Sequence, residues 1–112
     1  MEIAKAQMRK GVLDMCILSI ISEEGEAYPS DILKKLEGSK LIVVQGTLYP
    51  LLTRLKNAGL LHYNWRESTG GPPRKYYHVT EDGKTFLGEL HQTWNQLAHA
   101  VQQSMKNIAT NE

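Results

Sequence analysis

The last third of the chain carries an apolar seam that a single helix cannot bury by itself. Its apolar residues recur at spacings of three and four, which is typical of a helix with a coiled-coil-like stripe. The seam consists of Leu87, Leu90, Trp94, Leu97, Val101, Met105 and Ile108. Thr80 is a good N-cap, so we predict a helix that follows it and continues to about Asn107. At roughly 1.5 Å per residue this helix is about 40 Å long, which is longer than so small a domain needs.

The beginning of the chain also predicts a second molecule. Residues 5–22 have helical periodicity, but from Val12 onward the apolar residues are too many for one stripe. Val12, Cys16 and Ile20 lie at i, i+4 and i+8, so they form a face that covers the seam in the same chain or in a partner. We therefore expect a homodimer, with these interface residues: Val12, Leu87, Leu90, Val101, Met105 and Ile108.

Two more helices and a connector occupy the middle of the chain. A short helix begins at Pro29 or Ser30 and stops at Gly38, and a connector follows with an extended stretch over Leu41 to Val44. The next helix runs from about Gln45 to Ala58 and has a leucine stripe, formed by Leu48, Leu51, Leu52 and Leu55. Gly59 is expected to close it in the left-handed conformation.

A hairpin is predicted after the third helix. Apolar and polar residues alternate from Leu61 to Trp65 and again at Tyr77 and Val79, which favours two strands. The intervening "STGGPP" has the glycine and proline content of a hairpin loop, and it places Arg74 and Lys75 just after a rigid turn.

The order helix, helix, helix, hairpin, long helix predicts a winged helix-turn-helix, within a fold class that is α+β and mostly α. Residues 1–80 form the winged helix, whose first helix also joins the dimer contact, and residues 81–112 form the dimerisation helix. A small α+β domain without a role in nucleic-acid binding has the same order of elements.

Composition and charge indicate which classes of protein the chain can belong to. The chain has 112 residues, 41% of them hydrophobic, and no apolar run approaches the roughly 18 residues that cross a bilayer. The N-terminus lacks the pattern of a secretory signal, and a single cysteine fits a reducing cytoplasm. The net charge is only +1, but residues 40–75 combine one acid, Glu67, with six basic residues: Lys40, Arg54, Lys56, Arg66, Arg74 and Lys75. This local excess of positive charge is typical of a surface that binds phosphate groups.

The start of the third helix has the chemistry of a recognition helix. In a helix-turn-helix, the N-terminal residues of the second helix meet base edges and phosphates in the major groove. That position requires a backbone without bulky side chains, short hydrogen-bonding side chains and free N–H groups, which favour an anion. The candidates are Gln45, Gly46, Thr47, Tyr49, Pro50 and Arg54. The structural alternative is that Gln45 and Thr47 are only caps and that Tyr49 belongs to the core.

Two motifs resemble one family over nearly the whole chain. "GTLYPLLTRLKNAGLL" followed by "GGPPRKYYHVTEDGK" is similar to the PadR family of bacterial transcriptional regulators. A single long final helix resembles its short subgroup, which includes multidrug-sensing repressors. The resemblance implies a winged helix, a homodimer and a palindromic DNA operator. By position it assigns Tyr28 and Ser30 to the DNA backbone, and Arg74, Lys75 and Tyr76 to the wing.

Trp94 has two interpretations. In the drug-sensing regulators that this chain resembles, a tryptophan at the matching position stacks on flat aromatic compounds. That likeness implies an effector site formed by Cys16, Ile20, His91, Trp94, Leu97 and Ala98. The simpler interpretation is that Trp94 anchors the dimer interface.

The resemblance implies a DNA-binding repressor, and the ligand interpretation of Trp94 adds a planar aromatic effector that releases it. Its rival is a winged helix used only for protein contacts. An enzyme is not expected, because the sequence contains no nucleophile–base–acid set and no phosphate-binding glycine loop. His62, His78 and His99 lack zinc-ligand spacing, so neither a metal nor a cofactor is expected.

Overall fold

The computed structural model describes residues 2–39 and 45–111, with side chains for all of these except 45, 107 and 109–111. The predicted extended stretch from Leu41 to Val44 lies outside the described residues. The elements are α1 (Glu2–Glu24), α2 (Pro29–Gly38), α3 (Gln45–Asn57), β1 (Leu61–Ser68), β2 (Gly71–Val79) and α4 (Glu81–Asn111). This order confirms the predicted winged helix with a long C-terminal helix.

The core is apolar and closes within one chain. It lies between α1, α2, α3 and the base of the hairpin, and Leu51, Leu87 and Leu90 pack against it from outside. Its buried residues are Leu13, Ile17, Leu18, Ile21, Ala27, Ile32, Leu36, Leu48, Leu52, Leu55, Leu61, Tyr77 and Val79. The leucine stripe predicted for α3 therefore does face the interior, with Leu51 half-buried at its edge.

The first helix is longer than the predicted 5–22, and its two halves differ. All of its buried residues lie between Leu13 and Ile21, at the spacing of one helical face. The N-terminal half carries exposed apolar side chains, with Ile3 77% and Met8 75% exposed. Helix α1 thus enters the core only through its C-terminal half.

Backbone pairing ties the start of α2 to the hairpin. Tyr28 is the N-cap residue in an extended conformation, and Pro29 begins the helix, where a missing N–H costs little. Just before it, Ala27 and Tyr77 exchange two backbone hydrogen bonds of 2.9 and 2.8 Å. The beginning of α2 is therefore held against β2.

The hairpin is longer than its composition predicts. Strands β1 and β2 are antiparallel, from the pair Leu61 and Val79 to the pair Ser68 and Gly71. Residues 69–70 alone form the turn, so the prediction of a loop over "STGGPP" was wrong: residues 72–73 belong to β2. Proline lacks the N–H of a strand ladder, but it is tolerated at the end of an edge strand. Arg74 and Lys75 accordingly lie within β2 and do not follow the turn.

A tight junction joins α3 to α4. Gly59 has a φ of 80°, as predicted for a helix-closing glycine, and the N–H of Leu60 bonds to the carbonyl of Leu55 at 3.0 Å. The Thr80 hydroxyl accepts from the N–H of Gly83 at 3.0 Å and donates to the Gly59 carbonyl at 2.7 Å. A Cβ on Gly83 would stand 2.2 Å from the carbonyl oxygen of Leu60. The first turn of α4 therefore requires glycine there.

Helix α4 extends past the predicted end near Asn107 to Asn111. Across residues 2–39 and 45–111, no helix combines the length and apolar character needed to span a membrane.

Candidate nucleic-acid interface

One face of α3 points away from the core. Its buried residues occupy one side of the helix, so the residues half a turn away face outward. All members of this outward face are exposed: Gly46, Pro50, Thr53 and Asn57. Thr53 and Asn57 are not among the contacts predicted from the sequence, although their three- and four-residue spacing from Gly46 and Pro50 places them on the same face.

The candidates at the start of α3 lie on or beside this outward face. Gly46, Thr47 and Pro50 are exposed, and Tyr49 is 43% exposed, so it is not a core residue. The side chain of Gln45 lies outside the described part, although its backbone begins α3. Contact of these residues with DNA stays a prediction.

Arg54 is held by a carboxylate from another helix. Its Nη2 donates to both oxygens of Asp14, at 2.7 and 2.8 Å. The guanidinium is still largely exposed, and the pair connects α3 to the middle of α1. Part of the positive charge that the sequence assigned to the recognition helix is therefore neutralised within the chain.

At the outer face of the hairpin two tyrosine rings stack on each other, and each ring carries an arginine. The guanidinium of Arg74 lies 4.5 Å from the ring centroid of Tyr28, whose ring stacks on Tyr76 at 5.6 Å. Arg66 covers the other ring at 4.5 Å from the Tyr76 centroid, and it forms an ion pair with Glu26. The structure thus brings together three predicted DNA contacts from two elements.

Lys75 lies on the opposite face of the hairpin from Arg74. Neighbouring side chains in a strand point to opposite faces, and the Nζ of Lys75 is 4.5 Å from the Tyr63 centroid and 5.2 Å from that of Trp65. The two wing cations that the sequence grouped together are therefore separated. Ser30 is exposed in the first turn of α2.

The basic footprint is smaller than the sequence indicates. Asp14 and Glu26, both from outside the basic segment, neutralise Arg54 and Arg66. Lys40 lies outside the described residues. Of the basic segment's residues that the structure describes, three form no ion pair: Lys56, Arg74 and Lys75. These three give the surface its positive charge.

Burial keeps the base of the hairpin neutral. It raises the pKa of the Tyr77 hydroxyl above its ordinary value, and the nearby Tyr63 and Tyr49 phenols raise that pKa further. Tyr77 is therefore an uncharged part of the core at neutral pH.

A cleft of about 700 Å³ lies between α1 and α4. Four of the six predicted effector residues line it: Cys16, Ile20, His91 and Trp94. Leu97 and Ala98, one turn further along α4, are not part of its lining. Lys35 and Lys84 also line the cleft. Burial raises the pKa of the Cys16 thiol, which therefore stays protonated at neutral pH.

The predicted dimer residues divide into two groups. Val12, Leu87 and Leu90 are half-buried within the single chain. The distal part of the seam is open, since more than half of each side chain is exposed at Leu97, Val101, Met105 and Ile108. Trp94, at 44% exposed, stands between the two groups.

The chain is similar to several transcriptional regulators of known structure. The family model "Transcriptional regulator PadR-like family" matches residues 17–89. A PadR-like transcription factor from Bacteroides fragilis is 57% identical, with a TM-score of 0.77, covering 89% of this chain and 96% of that one. A PadR family regulator from Eggerthella lenta is 34% identical, with a TM-score of 0.84 and coverage of 93% and 90%.

Two further relatives extend the comparison. A PadR-like transcriptional regulator from Bacillus cereus is 39% identical, with a TM-score of 0.78, covering 88% of this chain and 96% of that one. An uncharacterised protein of Lysinibacillus sphaericus is 25% identical over 107 residues, which is 93% of this chain and 97% of that protein. The resemblance noted in the helix-start and wing motifs is confirmed. The chain belongs to the PadR-like family of transcriptional regulators.

Proposed function

We propose that the protein is a homodimeric DNA-binding regulator that represses transcription from a palindromic operator and is released by a planar aromatic effector. The observation that carries the proposal is the outward face of α3, which is exposed and has no long side chain at Gly46 or Pro50. It lies beside basic groups that no carboxylate neutralises.

In this proposal α3 enters the major groove. Thr53 and Asn57 bring short hydrogen-bonding side chains to base edges, and Gly46 lets the backbone approach. Tyr28 and Ser30, at the start of α2, meet the phosphate backbone, as does Arg74 on the hairpin. Because lysine and arginine contacts displace counterions from DNA, binding weakens steeply as the salt concentration rises.

The open distal seam of α4 supports the homodimer. Four large apolar side chains exposed in one line, Leu97, Val101, Met105 and Ile108, are unusual on a monomer. A second copy buries them and places two α3 helices about 34 Å apart, one turn of the duplex. That symmetry requires a palindromic operator.

The cleft between α1 and α4 is the proposed effector site. An aromatic ring that stacks on Trp94 changes the angle between these helices and so the spacing of the two α3 helices. Asp14 connects this movement of α1 to α3. It precedes the cleft residues Met15 and Cys16 in α1, and its carboxylate binds Arg54 on α3.

A footprint tests the DNA-binding part. The full-length protein is expected to protect a palindromic segment in the DNA upstream of its own coding sequence. Thr53→Glu places a carboxylate on the outward face and is expected to abolish protection, whereas Gln92→Glu, which adds the same charge to exposed α4, retains it. Equal protection by both variants would contradict the role of α3, whereas no protection by the wild-type protein would favour a winged helix used only for protein contacts.

Fluorescence tests the effector part. In a Trp65→Phe background, Trp94 is the sole tryptophan, and planar phenolic or cationic compounds are expected to quench it and to weaken operator binding in parallel. Trp94→Leu should remove the second effect. Unchanged operator affinity across the whole panel would exclude an aromatic effector.

A further inference from the structure

The inner face of the hairpin carries a strip of side chains that continues from α3. The inner strip consists of Lys56 on α3, Tyr63 and Trp65 on β1, and Lys75 on β2. Trp65 and Lys75 are cross-strand partners, and the rings of Tyr63 and Trp65 meet edge to face at 5.9 Å. The Nζ atoms of Lys56 and Lys75 lie 5.8 and 4.5 Å from the same Tyr63 centroid. One ring therefore positions both ammonium groups.

The outer end of the strip is not needed for the core. On this face the pair Leu61 and Val79 is buried, and Tyr63 is half-buried. Trp65, next along the strand, is 60% exposed. A large ring left in water at the far end of a strand contributes little to folding, whereas it is well placed to bury its surface against a ligand.

The charge of the strip is uncompensated. Within residues 2–39 and 45–111, neither Lys56 nor Lys75 forms an ion pair, in contrast to Arg54 and Arg66. A ring beneath an ammonium group orients it but leaves its N–H donors able to bind an oxygen anion. The strip is thus cationic at two points, with an exposed aromatic surface beside them.

We infer that the inner strip binds the sugar–phosphate backbone of duplex DNA beside the groove that α3 occupies. The inference rests on the proposed function and adds Lys56, Tyr63 and Trp65 to it. Lys56 and Lys75 each bind a phosphate of one strand, and the Trp65 ring packs on the deoxyribose near them. Duplex DNA is the fitting partner because the strip is positive and adjoins the last turn of α3.

The salt dependence of binding tests the two lysines. The probes are a random-sequence duplex and the duplex upstream of the coding sequence, measured by anisotropy between about 50 and 200 mM NaCl. The variant Lys56→Gln/Lys75→Gln should lower the slope of log K against log salt by about 1.8, since each phosphate contact contributes about 0.9. The control Lys10→Gln/Lys34→Gln removes the same charge from exposed positions on α1 and α2 and should keep the wild-type slope.

Trp65 has its own readout. In a Trp94→Phe background its emission should change on adding either duplex and saturate at the binding stoichiometry. Trp65→Ala should weaken binding by at least about 5-fold, which is the low end of what an aromatic contact with a nucleic acid contributes. The salt slope should stay unchanged, because the ring carries no charge.

The outcomes separate the two proposals. A wild-type protein that binds neither duplex overturns the proposed function and the strip together. Wild-type binding with equal slopes for the double variant and its control, or with unchanged Trp65 emission, overturns the strip alone.

Discussion

The winged helix and the distal half of α4 have equally regular apolar patterns, yet only one of them is covered. In the winged helix, residues such as Ile17 and Leu52 are fully buried by elements of the same chain. On α4, Val101 and Met105 continue the same kind of periodicity but remain more than half exposed. The difference shows that periodicity identifies an apolar face, whereas the packing of the chain decides whether that face is buried.

The largest expected effect tests the uncovered region. Val101→Glu/Met105→Glu should raise the dimer dissociation constant at least about 100-fold, because an interface would have to bury two unpaired carboxylates. Sedimentation measures this change. Gln96→Glu/Gln103→Glu adds the same charge on the other side of α4 and should leave association unchanged. A dimer that tolerates the seam variant would contradict the proposed interface.

The covered region should respond to truncation in proportion to its burial. Ile17→Ala is expected to lower the free energy of unfolding by about 2–5 kcal/mol, because it leaves a cavity in the core. Met8→Ala, in the exposed half of the same helix, should cost less than about 0.5 kcal/mol in dilute solution. Chemical denaturation at two protein concentrations measures both. An Ile17→Ala cost that varies with concentration would show that the core is not closed within one chain.

The junction between the two regions depends on one glycine. Gly83→Ala should destabilise the protein by about 1–3 kcal/mol, since its Cβ would overlap the carbonyl of Leu60. Gly88→Ala, where nothing lies within 4 Å, should be neutral or stabilising by up to about 1 kcal/mol. Thermal unfolding compares the two, and equal midpoints would mean that α4 begins further from α3 than the structure shows.

Helix α1 forms part of the winged helix and also lines the cleft with α4, and Asp14 tests its connection to α3. Asp14→Asn releases the charge of Arg54 and should tighten duplex binding by about 3- to 10-fold, with a salt slope steeper by about 1. Asp31→Asn makes the same change in net charge on α2 and should have less effect. Weaker binding by Asp14→Asn would show that Arg54 needs Asp14 for its position.

The smallest expected effect concerns pH. Burial raises the pKa of Tyr77 in the folded state, so its contribution to stability is complete below the unfolded value of about 10 and is lost as the pH rises above that value. Tyr77→Phe should therefore lose less stability than the wild type between about pH 9 and 11. Denaturation curves at both pH values measure the difference, which parallel losses would contradict.

Local signals were sufficient for most elements of the fold. The spacing of leucines defined α3, Gly59 marked its end, and Thr80 marked the start of α4, because each of these effects acts within a few residues. The strands were predicted from alternation, but their extent was not. The composition around Pro72 and Pro73 predicted a loop there. Pairing between the two strands instead places both prolines in β2 and the turn before them.

The candidate site depended more on contacts that are distant in sequence. Asp14 and Arg54 are 40 residues apart, so the sequence around neither residue predicts their ion pair. Arg74 and Lys75 lie on opposite faces because they are neighbours in a strand. The sequence did not predict this, because it placed both residues just after a loop. Gly83 likewise needs the position of Leu60, which only the packed chain supplies.

The two prolines at the far end of β2 also affect how the protein behaves when crowded. Pro72 and Pro73 present no N–H groups, and the backbone of Tyr77 is already engaged by Ala27. The outer edge of β2 therefore offers little for a foreign strand to add to. Strand-by-strand growth of the kind that leads to fibrils is therefore disfavoured at this edge when the protein is concentrated.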